Sequence, residues 1–122
     1  MRRDRVRGSF RPVSELPPKT CEIDNLVTHK RLVAAALEGT KTQQRRNGVY
    51  GYPGERFDLE GVTFEITDVR RETLGDMTEE DGAAEGLGSL EAYKQMILRM
   101  HAGMGWVDKM PVWLHVFARV AD

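Results

Sequence analysis

The segment Gly39–Arg46 constrains the fold more than any other stretch, because a helical pattern ends there and a cation-rich segment begins. Apolar residues recur at helical spacing over Lys30–Glu38, so we expect a helix with Thr28 as N-cap and Gly39 as C′ glycine. In the strand expected over Lys41–Arg46, alternate side chains point to opposite faces. One face carries Lys41, Gln43 and Arg45, and the other carries Thr42, Gln44 and Arg46. Cations on both faces indicate the mouth of a polar cavity. The alternative is a solvated edge strand.

Composition excludes several classes of protein. The chain has 122 residues, 40% of them apolar and 30% charged, which is enough for one globular domain with a buried core. No stretch reaches the roughly 18 consecutive apolar residues of a membrane-spanning helix. The Arg-rich N-terminus is not followed by the apolar run of a secretory signal. The single cysteine, Cys21, excludes an internal disulfide and fits a reducing compartment. We therefore expect a cytoplasmic protein that does not enter a membrane.

The net charge of −1 conceals a strong asymmetry along the chain. Residues 1–46 contain 11 Lys or Arg and 5 Asp or Glu, whereas residues 47–122 contain 7 and 14. Residues 1–19 are rich in Arg and Pro with little apolar periodicity, which predicts a flexible basic arm before a domain over 20–122. A polyanion such as RNA is the expected partner of the basic half. Against this, the two halves can intermix in the folded protein, and a pI near 6.3 argues against a dedicated nucleic-acid binder.

The rest of the pattern predicts a small sheet with helices. Alternation over Glu55–Leu59 and Gly61–Arg71 predicts two strands joined by a hairpin turn at Glu60-Gly61, with a bulge or a strand end near Asp68. The other predicted elements are a short first strand over Thr20–Asn25, a short helix between Thr78 and Gly86, a helix over Leu90–His101 that Ser89 caps, and a final strand over Pro111–Val120. This order predicts an α+β fold, in which a small, mostly antiparallel sheet closes into a β-barrel with helices packed over the barrel ends.

Four short motifs follow one another along the chain. They are Gly39, Lys41, Thr42 and Arg46 in a G-x-K-T…R pattern; Pro53–Phe57; Thr78–Glu80 followed by Ala84–Gly86; and Pro111-Val112 followed by His115–Phe117. In this order, over about Cys21–Val120, the chain resembles the ASCH family, the activating signal cointegrator homology domains. These are small β-barrels related to the PUA domain of RNA-modifying proteins. The resemblance implies a PUA-like barrel and a cleft between the lysine strand and the end of the glutamate helix.

The resemblance also implies two functions for that cleft. It has been read as a site for RNA or a nucleoside, which implies Gly39, Thr42, Gln44 and Arg46 as ligand-binding residues. Some small bacterial members hydrolyse the amide of N4-acetylcytidine with a lysine and a threonine of a K-T-x-T element and a glutamate near the second helix. Lys41 and Glu85 match that lysine and glutamate, which implies that they are catalytic. Gln44 stands at the threonine position.

The residue types around the cleft leave several hypotheses open. A glutamine is no nucleophile, but Gln44 is able to donate and accept hydrogen bonds in the pattern that a pyrimidine edge presents. Arg46 would clamp a phosphate or form a structural ion pair. Tyr50 and Tyr52 would stack on a base or simply cover the barrel end. We expect binding of RNA or a modified pyrimidine nucleoside; an amidohydrolase acting on N4-acetylcytidine-type nucleosides is the alternative, and a protein-interaction module the third. The oligomeric state stays open.

The sequence offers little for a metal or a cofactor. The three histidines are scattered, Cys21 has no partner cysteine, and neither HExxH nor CxxC nor a Walker element occurs. We expect no metal and no cofactor. His115, on the final strand, is expected to be a hydrogen-bonded core residue rather than a base.

Overall fold

The computed structural model describes residues 16–103 and 105–121. Three helices and four strands lie in these ranges. They are α1 (Lys30–Glu38), β1 (Gln43–Arg46), β2 (Arg56–Leu59), β3 (Val62–Thr73), α2 (Glu79–Ala84), α3 (Leu90–Met100) and β4 (Pro111–Arg119). Two short 3₁₀ turns, Ile23–Asn25 and Leu74–Asp76, complete the element order. None of the helices described here is long and apolar enough to cross a bilayer.

The four described strands form one antiparallel sheet in the order β1-β4-β3-β2. It curls into a half-barrel with helices, which agrees with the predicted small α+β barrel of the PUA type. The final strand, β4, lies between β1 and β3. The hairpin prediction is confirmed, because Glu60 and Gly61 both have positive φ (50° and 86°), as a tight two-residue turn requires. The predicted bulge is confirmed as a register shift between Ile66 and Asp68.

Helix α1 has the predicted bounds, but its start and the segment before it differ from the prediction. The predicted strand over Thr20–Asn25 is wrong, since this segment contains the 3₁₀ turn Ile23–Asn25. The predicted cap Thr28 is also wrong: His29 is the N-cap, and its Nδ1 accepts a hydrogen bond from the backbone N–H of Arg31 at 3.3 Å. An imidazole nitrogen thus takes the place of the expected hydroxyl.

Strand β1 begins two residues later than predicted, because of the way α1 ends. Gly39 adopts the predicted left-handed conformation (φ 90°). The backbone N–H groups of Thr40 and Lys41 then both donate to the carbonyl of Ala35, at 3.0 and 3.1 Å. The helix end therefore holds Lys41, and pairing with β4 begins at Gln43 rather than at the predicted Lys41.

The two faces of the curled sheet have different environments. On one face, Phe57, Phe64 and Phe117 form an aromatic cluster with ring centroids 5.5–5.7 Å apart. On the other face, Arg45 lies opposite the buried Leu114, and Arg70 lies opposite Leu114 on its other side. The sequence therefore places charged residues beside a core strand, and their charge has to be compensated inside the protein.

Only the last four residues of the predicted arm, 16–19, belong to the described part of the chain. Leu16 is buried, the hydroxyl of Tyr52 donates to the carbonyl of Pro17 at 3.0 Å, and Lys19 forms an ion pair with Glu55 at 2.8 Å. Residues 1–15, including the five arginines of the predicted arm, lie outside the described residues. The arm and its boundary at residue 19 stay predictions.

Candidate functional site

Lys41 and Glu85 meet inside the protein. Lys41 lies between α1 and β1, and Glu85 is the C-cap residue of α2, followed by Gly86 in the left-handed region (φ 99°). Each residue is only 1% exposed, and the Lys41 Nζ lies 3.6 Å from Glu85 Oε1. The two residues that the motifs single out thus form a buried ion pair.

The ammonium of Lys41 makes two hydrogen bonds and one ion pair. It donates to the carbonyl of Gln43 at 2.7 Å and to the carbonyl of Glu85 at 2.8 Å, and it faces the Glu85 carboxylate. Burial lowers the pKa of Lys41 from 10.5 to about 8, although the Glu85 carboxylate acts to raise it. The pair therefore ties the start of β1 to the end of α2 and carries a lysine that titrates near neutral pH.

Arg45 connects the same carboxylate to two others. Its Nη1 donates to Glu85 Oε2 at 2.9 Å, and its Nη2 lies 2.8 Å from Glu72 Oε1 and 3.6 Å from Asp81 Oδ1. Burial alone would lower the pKa of Arg45, but these three carboxylates outweigh it and raise the pKa above its usual value. The arginine is therefore a permanent cation that joins β1 to β3 and to α2.

We give the name buried ion cluster to Lys41, Arg45 and Glu85, which are buried, together with the half-buried Glu72 and Asp81. The amide of Gln43 supports it by donating to Asp81 Oδ1 at 3.2 Å and to Glu85 Oε2 at 3.4 Å. The predicted alternation is confirmed, because Lys41, Gln43 and Arg45 all reach this cluster from one face. Sequence reasoning missed Arg45, Gln43, Glu72 and Asp81 as partners. Alternation put the first two beside Lys41, but no local signal brings β3 and α2 to the same place.

A cavity of about 500 Å³ opens beside the cluster, at the end of the sheet where β1 ends and β4 begins. The start of α1, the C-terminal half of α3 and the loop after β1 enclose it. Its polar or charged lining residues include Gln44, Arg45, Arg46, Asn47, Tyr50 and Tyr93, and its apolar ones include Leu32, Leu74, Met96, Ile97, Met110 and Val112. Arg45 belongs to both the cavity wall and the buried ion cluster.

Gln44 is the most distinctive polar group of the cavity wall. It is 6% exposed, and its Nε2 donates to the carbonyl of Arg45 at 3.2 Å. Among the described residues, no donor reaches its buried Oε1. Buried polar atoms are nearly always paired, so an unpaired carbonyl oxygen in a cavity wall is a feature that needs a partner.

Tyr50 forms another part of the wall and is held by its neighbours. Its backbone N–H donates to Nε2 of His115 at 3.0 Å, and its ring meets the His115 ring edge-on with centroids 6.1 Å apart. The Arg46 guanidinium lies 5.2 Å from the centre of the Tyr50 ring and donates to the backbone carbonyls of Leu26 and Asn25. Arg46 therefore fixes the segment before α1 against β1 as well as covering Tyr50.

His115 is a buried, hydrogen-bonded core residue, as the sequence predicts. Burial lowers its pKa to about 4, although its backbone hydrogen bonds act to raise it. Its Nε2 accepts from Tyr50, so its Nδ1 carries the proton and donates to the carbonyl of Trp113 at 3.1 Å. Within the described ranges, no group of three or more His, Cys, Asp or Glu side chains is placed to hold a metal ion.

The predicted site residues divide into three groups. Gln44, Arg46 and Tyr50 line the cavity, whereas Lys41 and Glu85 are buried beside it and are not part of its lining. Three others lie away from it: Gly39 caps α1, Thr42 lines a separate shallow depression, and Tyr52 contacts Pro17.

Comparisons with known proteins identify the fold. No protein-family model matches the chain, and no curated protein matches it in sequence. Its structure is similar to that of an ASCH domain from Lactobacillus crispatus JV V101, with a TM-score of 0.58 and 18% identity over 78% of this chain and 77% of that chain. It is also similar to a protein from Enterococcus faecalis V583 of the family DUF984, with a TM-score of 0.54 and 18% identity over 74% of this chain and 67% of that chain. At this identity the likeness concerns the fold, and the chain has the ASCH-like fold that its motifs predict.

Proposed function

We propose that the cavity beside the buried ion cluster binds the base of a pyrimidine nucleoside, either free or within RNA. The observation that carries the proposal is the buried Oε1 of Gln44, which no donor among the described residues reaches. Leaving such an acceptor unpaired costs about 1–3 kcal/mol. A ligand whose N–H group donates a hydrogen bond to this oxygen removes that cost. The site therefore favours a planar ligand with a hydrogen-bond donor on its edge.

Pyrimidine bases carry such a donor beside an acceptor. Cytosine presents its exocyclic amino group next to N3, and uracil presents N3–H between two carbonyls. The volume of about 500 Å³ lies within the usual range for small-molecule sites. Tyr50 and the Met96–Ile97 wall supply aromatic and apolar surface for the faces of a ring, and Arg46 supplies positive charge near the opening. The lining thus combines a polar contact with apolar walls, as ligand sites generally do.

The alternative function, hydrolysis of an N4-acylated pyrimidine nucleoside, has one observation in its favour. Lys41 has a pKa of about 8 and faces Glu85, so a substantial fraction of its side chain is the neutral amine, a general base, slightly above neutral pH. Against it, both side chains are about 1% exposed and lie outside the cavity lining, and the ammonium already donates two hydrogen bonds to backbone carbonyls. A substrate would have to open the buried ion cluster before it reached them. We therefore rank binding first.

The test combines a nucleoside panel with substitutions of Gln44. Cytidine, uridine, N4-acetylcytidine and adenosine are titrated by calorimetry, and each mixture is then analysed by chromatography for products. We expect a pyrimidine to bind and Gln44→Met to weaken that binding about 5- to 10-fold, the value of one hydrogen bond. Gln95→Met, on the exposed side of α3, is the matched control and should leave the affinity unchanged. Because Gln44→Met also removes an unpaired buried oxygen, its melting temperature should not fall.

Each outcome separates the two functions. Pyrimidine binding without a product supports the binding function. Release of cytidine from N4-acetylcytidine, lost in Lys41→Met and increased in Gln44→Thr, supports hydrolysis instead. If no pyrimidine binds, or if Gln44→Met binds as tightly as the wild type, the proposed use of the Gln44 oxygen is wrong.

A further inference from the structure

One row of side chains crosses the sheet next to the cavity. Trp113 of β4 lies directly opposite Arg46 of β1 on one side and Arg71 of β3 on the other. Directly opposed residues of antiparallel strands point to the same face. Arg46, Trp113 and Arg71 therefore form a transverse row of cation, aromatic ring and cation. With strands roughly 5 Å apart, this row extends about 10 Å from the cavity wall.

Two cation–π contacts lie along this row, which we call the platform. The Arg71 guanidinium lies 5.3 Å from the centre of the Trp113 ring, and Arg46 lies 5.2 Å from that of Tyr50, which lines the cavity. Arg71 is exposed, and Arg46 and Trp113 are half-buried. The platform thus continues the wall of the cavity outward over the sheet with alternating positive and aromatic groups.

The carboxylate of Glu72, next to Arg71 in the chain, lies on the opposite face of the sheet. Glu72 follows Arg71 in β3, so its side chain takes the opposite face, where it pairs with Arg45 and Arg70 at 2.8 and 3.1 Å. Likewise Arg45, the neighbour of Arg46, points into the buried ion cluster with its carboxylates. Strand alternation therefore leaves positive charge on the platform face and places these carboxylates on the other.

We propose that this platform receives the nucleotide adjoining the base bound in the cavity, so that the preferred ligand is a single strand of RNA rather than a free nucleoside. This proposal rests on the proposed binding of a pyrimidine base. Single-strand sites combine cationic side chains for the phosphates with aromatic rings on which successive bases stack. Arg71 and Arg46 supply the cations, and Trp113 supplies the ring.

The experiment compares one free nucleoside with one short strand. Affinities for cytidine and for a five-nucleotide oligocytidylate RNA are measured by calorimetry and fluorescence anisotropy between 50 and 200 mM salt, values chosen because phosphate contacts weaken strongly over this range. Wild type should bind the strand at least about 10-fold more tightly than cytidine. Arg71→Gln should weaken strand binding and reduce the slope of log affinity against log salt by about 0.7. Cytidine affinity should stay the same in this variant.

Two further variants keep the test decisive. Trp113→Leu should weaken strand binding about 10-fold by removing the stacking surface, and its melting temperature shows whether it is folded. Arg119→Gln, an exposed arginine at the other end of β4, is the charge-matched control and should leave strand binding nearly unchanged. If cytidine binds but the strand binds no more tightly, or if Arg71→Gln and Arg119→Gln behave alike, the platform proposal is overturned alone. If cytidine does not bind at all, both proposals fail.

Discussion

Replacing Glu85 by glutamine will destabilise the domain by about 3–5 kcal/mol, the usual cost of leaving buried charge without its partner. The Glu85 carboxylate is shared by Lys41 Nζ at 3.6 Å and Arg45 Nη1 at 2.9 Å, and both cations are almost fully buried. An amide keeps the shape of the side chain but removes the negative charge that compensates both. Since small domains are stable by about 5–15 kcal/mol, urea unfolding will show a large decrease in the transition midpoint.

The matched comparison is Lys41→Met, which removes one cation from the same pair. Glu85 then keeps its contact with Arg45, and the methionine fills similar volume without a charge to desolvate. We expect this variant to lose clearly less stability than Glu85→Gln. Equal losses in the two variants would show that the carboxylate does not serve two cations, and would contradict the description of the buried ion cluster.

The second large effect is a rise of stability with pH above 8. Burial lowers the pKa of Lys41 from 10.5 to about 8, so the folded protein releases this proton at lower pH than the unfolded chain does. Between these values the unfolded state binds more protons, and the free energy of unfolding therefore increases with pH, by about 3 kcal/mol across the window. Below pH 8 both states hold the proton and this contribution is constant.

Urea unfolding at a series of pH values between 7 and 10 tests this expectation. The range stops at 10 because burial raises the pKa of Tyr93, which makes stability fall again once the tyrosine of the unfolded chain ionises. Lys41→Met should be flat over the same range. A wild-type profile parallel to that of the variant would mean that Lys41 is not the titrating group.

The sequence predicted helix α1 and the β2–β3 hairpin correctly, because residues within each segment determine these elements. The spacing of apolar residues defines α1, and Gly39 ends it. The Glu60-Gly61 pair forms the turn of the hairpin between β2 and β3. The segment Thr20–Asn25 has no comparable signal. It is held by contacts with distant parts of the chain, such as the hydrogen bonds from Arg46 to the carbonyls of Asn25 and Leu26, and a strand prediction there was wrong.

The sequence likewise predicted some residues of the candidate site and missed others. Alternation in β1 predicted the polar character of both faces and put Gln44 and Arg46 on one of them, and the tyrosines of the following loop suggested Tyr50; all three line the cavity. The motifs brought Lys41 and Glu85 to attention but said nothing about their burial, because that depends on where α2 packs. Arg45 was missed for the same reason: its three carboxylates come from β3 and α2, between 27 and 40 residues further along the chain.

Arg45 both lines the cavity and belongs to the buried ion cluster, which limits the substitutions that position 45 tolerates. One side of the residue borders the cavity, and its guanidinium holds Glu72, Asp81 and Glu85. A substitution that adapts position 45 to a new guest also removes the counter-charge of three acids, so selection for folding opposes it. Under the proposed binding function, changes of ligand preference are therefore expected at positions 44, 46 and 50, whose side chains do not pair with those acids.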